Sequence, residues 1–207
     1  MSDAPLRLAV LASGRGSNLQ AIINAIEQGH LQAILAVVIS NKAEAQALER
    51  ARKHGAPALF LDPKATPGRD AYDAVILEHL RKHGVELVAL AGYMKIVTAV
   101  LLDAYPNRIM NIHPSLLPAF PGVAAQKQAL AWGVKVAGCT VHFVTEGVDA
   151  GPIIRQAAVL VQEGDTEVSL AARILVEEHR IYPKAIQLFA EGRLTVEGRR
   201  VHLHMSI

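Results

Sequence analysis

Leu6-Arg7-Leu8-Ala9-Val10-Leu11-Ala12-Ser13-Gly14-Arg15-Gly16-Ser17-Asn18-Leu19-Gln20 is the stretch that decides the architecture. Its short apolar run, Leu6 to Leu11, reads as a buried strand, and Ser13 to Gly16 as a glycine loop turning the chain into a helix. Leu19, Ile22, Ile23 and Ile26 keep helical spacing. Ser17 with Gln20 three positions on fits a capping box, and Gly29 is a natural stop. Strand, loop and helix in that order open a βαβ unit.

The same rhythm continues downstream. Leu35 to Ile39 is a second apolar strand, Glu44 to His54 a helix closed by Gly55, and Ala58 to Leu61 a third strand. Arg69 to His83 is a longer helix ending at Gly84, Val85 to Ala91 a fourth strand, and Arg108 to Ile112 a fifth. Such alternation predicts a parallel sheet with right-handed crossovers. The pattern then changes. Val134 to Val144 and Ile153 to Val161 are extended segments with only a turn-rich stretch between them, which predicts an antiparallel pair added to the sheet. Val168 to Ala190 is helical in composition with Pro183 as a kink or break, and Leu194 to Val196 with Val201 to Leu203 make a terminal hairpin.

Composition bounds the class. The chain has 207 residues, 51% hydrophobic and 19% charged, too apolar and too lightly charged for disorder. Its formal charge of +2 lacks the basic surplus of a nucleic-acid-binding domain. One cysteine, Cys139, permits no internal disulfide. Met1 to Pro5 lacks a basic segment followed by a long apolar run, and no uncharged run reaches the roughly 18 residues of a membrane span. A cytoplasmic protein without a signal peptide or membrane partner is expected.

Three stretches carry chemistry. Ser13 to Asn18 outlines a phosphate cradle, because glycines let backbone amides approach a ligand and the helix start offers unpaired N–H groups. It is not a dinucleotide fingerprint: Leu19 stands where the third glycine belongs, and the second strand ends in Asn41 rather than an acid. A tight turn without a ligand is the alternative. Asn111-Ile112-His113-Pro114 ends the fifth strand, where open sheets bind ligands. Extended geometry puts Asn111 and His113 on one side, as an amide to stabilise an oxyanion and an imidazole to move a proton. The alternative is that His113 is a strand-end histidine that simply bonds backbone. Asp149, before Ala150-Gly151-Pro152, is either a turn-former or the carboxylate that keeps that imidazole charged. His142 either lines the site or packs in the core. His79 and His83 have i, i+4 spacing but lack a third metal ligand, Cys139 has no base partner, and Trp132 is core or interface.

Taken together, these stretches resemble the phosphoribosylglycinamide formyltransferases, a folate-dependent family of purine synthesis. The matching pieces are Ser13 to Gln20, Ile39-Ser40-Asn41, Leu90 to Ile96, Asn111 to Pro118, Val141 to Val144, Glu146 to Ile154 and Glu178 to Pro183. The expected fold is then α/β, an open, mostly parallel Rossmann-like sheet with helices on both faces and antiparallel strands added in the C-terminal part. A single domain over 1–207 is expected, with a phosphate-binding half (1–112) and a folate and catalytic half (113–207).

The resemblance implies transfer of the formyl group of 10-formyltetrahydrofolate to the amine of glycinamide ribonucleotide. Asn111, His113 and Asp149 would form the catalytic group. Gly16, Ser17, Asn18, Leu19 and Gln20 would hold the phosphoribosyl moiety, with Glu178 near the glycinamide end. Arg69, Met94, Lys95, Ile96, Val97, Val148, Asn111 and Asp149 would border the folate. No metal is expected, the partners are small molecules, and the chain is a monomer or weak homodimer. Many relatives carry a histidine shortly after the Pro-Gly of the next loop, whereas Pro121-Gly122 is followed here by Val123-Ala124-Ala125-Gln126. Rival readings are a 10-formyltetrahydrofolate hydrolase, a transferase acting on methionyl-tRNA, a ligand-binding module without turnover, and a dinucleotide-dependent oxidoreductase.

Overall fold

In the computed structural model, residues 4–205 are described. The first residues read for a signal peptide, Met1 to Asp3, lie outside that range. The elements run β1 (Leu6–Leu11), α1 (Ser17–Glu27), β2 (Ala33–Ser40), α2 (Gln46–Lys53), β3 (Ala58–Phe60), α3 (Arg69–Lys82), β4 (Leu87–Leu90), α4 (Ala99–Ala104) and β5 (Ile109–His113). They continue α5 (Ala125–Ala131), β6 (Val136–Phe143), β7 (Ile153–Leu160), α6 (Glu167–Ala190), β8 (Leu194–Glu197) and β9 (Arg200–Leu203).

Seven strands form one sheet in the order β3-β2-β1-β4-β5-β6-β7, and β8 and β9 form a separate hairpin. β1 to β5 pair in parallel, while β6 and β7 are antiparallel to their neighbours. This is the α/β architecture expected, with the antiparallel addition in the expected place. β1 is covered on both faces, so nearly every residue is apolar: Leu8 and Val10 join one core, Ala9 and Leu11 the other. The strand order reverses at β1. The loops after β1 and β4 therefore diverge and leave a crevice at their carboxyl ends.

Two local expectations need correction, and two short helices are new. Ser17 does not cap α1: Gly16 occupies the N-cap in the left-handed region (φ 69°), and no side chain caps the helix. A capping box is found instead at Thr166 and Ser169 of α6. Pro183 does not break α6, which runs 24 residues through it. Tertiary anchoring offsets the lost helical hydrogen bond there, since the neighbouring Tyr182 is wholly buried with its hydroxyl 3.0 Å from both the Leu90 and Met110 carbonyl oxygens. Finally, α4 and α5 are too short, at 6 and 7 residues, to establish a periodic signal.

Candidate active site

Ser13 ties the crevice together. Its hydroxyl donates to Asn41 Oδ1 (2.6 Å) and accepts from the Met94 N–H (2.8 Å), while its own N–H donates to the Gly92 carbonyl (3.1 Å). Beside it lies a cavity of about 840 Å³ lined by Gly14, Gly16, Ser17, Asn18, Met94, Pro114 and Glu178, among others. The absence of a side-chain cap on α1 leaves its first N–H groups and positive dipole end at this wall.

Glu178 is buried, and its Oε2 accepts from Asn18 Nδ2 at 2.7 Å. Burial pushes its carboxyl above the usual range, an effect the Asn18 amide opposes. Asn18 Oδ1 is buried with no hydrogen-bond partner. Leu19 is wholly buried in the core, so its side chain is excluded from this cavity. Gln20 turns the other way, towards Arg50, Asn24 and His54.

The second group assembles at the end of β5. Asn111 and His113 point to one side and both reach Asp149: Asn111 Nδ2 at 3.4 Å from Oδ1, His113 Nδ1 at 3.2 Å from Oδ2. Asp149 projects from the turn between β6 and β7 with φ +50°, and its Oδ2 also accepts from the Gly122 N–H at 2.8 Å. That turn is held close at its far end, where a Cβ on Gly151 would fall 1.7 Å from the Phe143 carbonyl oxygen. Burial raises the Asp149 carboxyl, but His142, the Gly122 N–H and the charge of His113 together hold it below the ordinary carboxylate range. His113 Nε2 meets the Phe120 carbonyl oxygen at 2.9 Å.

His142, left open between site and core, belongs to this group. The β5–β6 register sets it opposite Asn111; Nε2 lies 3.3 Å from Asn111 Nδ2 and 3.6 Å from Asp149 Oδ1, and Nδ1 meets the Phe143 carbonyl at 2.9 Å. Its Thr-Val-His-Phe-Val context is simply that of a buried strand, so only the register distinguishes it.

A third region, of about 420 Å³, is lined by Arg69, Tyr72, Met94, Lys95 and Ile96, among others. Met94 borders both this cavity and the larger one, and Met94 and Ile96 are exposed. Val97 is instead buried in the core, and Val148 is exposed on the Asp149 turn. Cys139 is wholly buried with its thiol pushed up to about 12 by burial, which removes it as a nucleophile. His83 Nδ1 bonds the His79 carbonyl oxygen, and no cluster of three or more His, Cys, Asp or Glu suited to a metal occurs among the described residues.

With this geometry in view, comparison with known proteins is decisive. Residues 6–186 match the formyl transferase family model. The chain belongs to the formyl transferase family. Within the family, this formyl transferase is 46% identical over 181 residues to phosphoribosylglycinamide formyltransferase of Bacillus subtilis, covering 87% of this chain and 93% of that protein. It is 48% identical over 197 residues to the trifunctional purine biosynthetic protein adenosine-3 of Drosophila pseudoobscura pseudoobscura, covering 94% of this chain but only 14% of that much longer protein. A crystal structure of glycinamide ribonucleotide transformylase 1 from Symbiobacterium toebii superposes with TM-score 0.96 at 61% identity, covering 98% of this formyl transferase and 95% of that chain. No helix among the described residues is long and apolar enough to cross a membrane.

Proposed function

We propose that this formyl transferase moves the formyl group of 10-formyltetrahydrofolate to the amine of glycinamide ribonucleotide, in purine biosynthesis. The observation that carries the reading is the convergence of Asn111, His113 and Asp149 beside a cavity that also holds an uncapped helix start and Glu178. Pro114, next to His113, is part of that cavity wall.

The phosphate rests at the start of α1, against the Gly16 to Asn18 backbone, where N–H groups and the helix dipole favour an anion. The glycinamide end lies towards Glu178 and Asn18, whose Oδ1 is unpaired, acceptors that suit an amine donor. Exposed Met94 and Ile96 offer apolar surface to a flat ring, and Arg69 and Lys95 supply cations for an anionic tail.

The amine attacks the formyl carbon, forming a C–N bond and a tetrahedral centre with negative charge on oxygen. The Asn111 amide and the His113 imidazolium stabilise that oxygen, and His113 exchanges its Phe120 contact to do so. Asp149 keeps the imidazolium in place and accepts from Asn111, so both donors are oriented before the reaction. The C–N10 bond then breaks, the nucleophile loses a proton and N10 gains one. Holding the two substrates together contributes as much as roughly 7–11 kcal/mol in the best-oriented systems.

The test is a folate-product assay with 10-formyltetrahydrofolate, run with and without glycinamide ribonucleotide. Product formed only with both substrates is expected. Tetrahydrofolate released without the amine would make the protein a hydrolase, and ligand-induced stabilisation without product would make it a binding module.

A further inference from the structure

Helix α2 grips the glycine loop at three successive residues. The Ala47 N–H donates to the Gly14 carbonyl at 3.2 Å. A Cβ on Gly16 would fall 2.8 Å from Ala47 Cα and 2.9 Å from Ala47 Cβ, so only glycine lets the two backbones meet. Between these points, Arg50 Nε donates to the Arg15 carbonyl at 2.9 Å. The same guanidinium reaches α1, where Nη1 donates to Gln20 Oε1 at 2.9 Å.

We propose that Arg50 is a positioning residue for the anion end of the substrate cavity, acting through the Arg15–Gly16 peptide. The inference rests on the phosphate placement given under the proposed function. A trans peptide points its C=O and N–H in opposite directions. Fixing the Arg15 carbonyl towards α2 therefore fixes the Gly16 N–H away from α2, in the loop that lines the cavity. The second bond, to Gln20, locks this peptide to the first turn of α1, so the loop and the helix start move as one unit. Both acceptors are neutral, so the guanidinium charge is not cancelled by the groups it bonds.

Gln20 is itself braced. Its Nε2 donates to Asn24 Oδ1 at 2.9 Å and lies 3.3 Å from His54 Nε2, and His54 Nδ1 is 2.6 Å from Glu27 Oε1. Because a guanidinium holds two acceptors in a fixed fork and an ammonium does not, lysine at position 50 keeps the charge and loses the geometry.

The experiment compares wild type with Arg50→Met and Arg50→Lys. Four quantities are measured: KM for glycinamide ribonucleotide, KM for the formyl donor, kcat, and the affinity of inorganic phosphate by calorimetry. Both variants are expected to raise that KM about tenfold and weaken phosphate by a similar factor, with kcat within about twofold and the formyl-donor KM unchanged. An unchanged KM in Arg50→Met overturns the proposal. So does a wild-type KM in Arg50→Lys, which assigns the effect to charge alone. Arg50→Lys, the milder change, covers failure of Arg50→Met to fold, and loss of folding in both overturns the proposal by making Arg50 a stability residue. If wild type does not transfer formyl at all, the proposed function fails, while the phosphate affinities still decide the part played by Arg50.

Discussion

Asn18 and Glu178 stand 160 positions apart in the chain and meet through a 2.7 Å hydrogen bond at the wall of the cavity of about 840 Å³. The bond joins the first turn of α1 to the middle of α6, and the buried Oδ1 of the same amide has no partner. It also places a carboxylate where burial disfavours its charge, a cost that the proposed function ascribes to facing the substrate amine.

Glu178→Gln separates the two consequences. A carboxyl whose value is raised on folding contributes stability below its unfolded value, about 4.3, and loses it as pH rises through the folded value. The substituted amide would still accept from Asn18 without carrying charge. The variant should therefore gain thermal stability over wild type as pH rises from about 4 to 7, while KM for glycinamide ribonucleotide rises about tenfold or more. Melting curves across that range decide it; a constant difference between the two proteins would mean that Glu178 is not ionised at a cost.

Asp149 has the opposite sign. Its carboxyl lies below the ordinary range, so it contributes stability above its unfolded value, about 3.9, and loses that contribution as pH falls through the folded value. The melting difference between wild type and Asp149→Asn should accordingly shrink below about pH 4. At neutral pH, Asp149→Asn and His113→Ala should each lower kcat by about 10²–10⁴ while circular dichroism shows an intact fold. Near-normal turnover in a folded variant would remove that residue from the catalytic group.

Tyr182→Phe tests the anchoring of α6 rather than the chemistry. The ring stays buried, but the contact with the Leu90 and Met110 carbonyls is lost from the interior. Stability should fall by about 1–2 kcal/mol, seen as a lower denaturation midpoint with an unchanged slope. No change in midpoint would mean that these carbonyls are satisfied without the hydroxyl.

The loop after Pro121-Gly122 is ordered without a histidine. Ala124 takes φ 55° ahead of α5, and the segment is held by Gln128 Nε2 on the Val123 carbonyl at 2.9 Å and by the Gly122 N–H on Asp149. The loop thus reaches Asp149 through its backbone.

The order of strands and helices was legible in the sequence because each rests on local physics. Apolar runs such as Leu6 to Leu11 and Leu87 to Leu90 bury on both faces, and a glycine closes a helix wherever the chain must leave it in the left-handed region. Ser13 to Asn18, Asn111, His113 and Asp149 were legible for the same reason: a glycine loop, a strand end and a turn are local features. Long-range pairing was not. The β5–β6 register alone puts His142 opposite Asn111, since a slip of one residue would turn its side chain to the other face. The burial of Leu19, the outward turn of Gln20, the loss of Ser17 as a cap and the grip of Arg50 on Arg15 all follow from α2 and α6 closing over α1. Those contacts join residues between 30 and 160 positions apart, for instance Arg50 with Gln20 and Asn18 with Glu178. No local pattern encodes such pairs, because their energy is gained only once the sheet has ordered the helices around it.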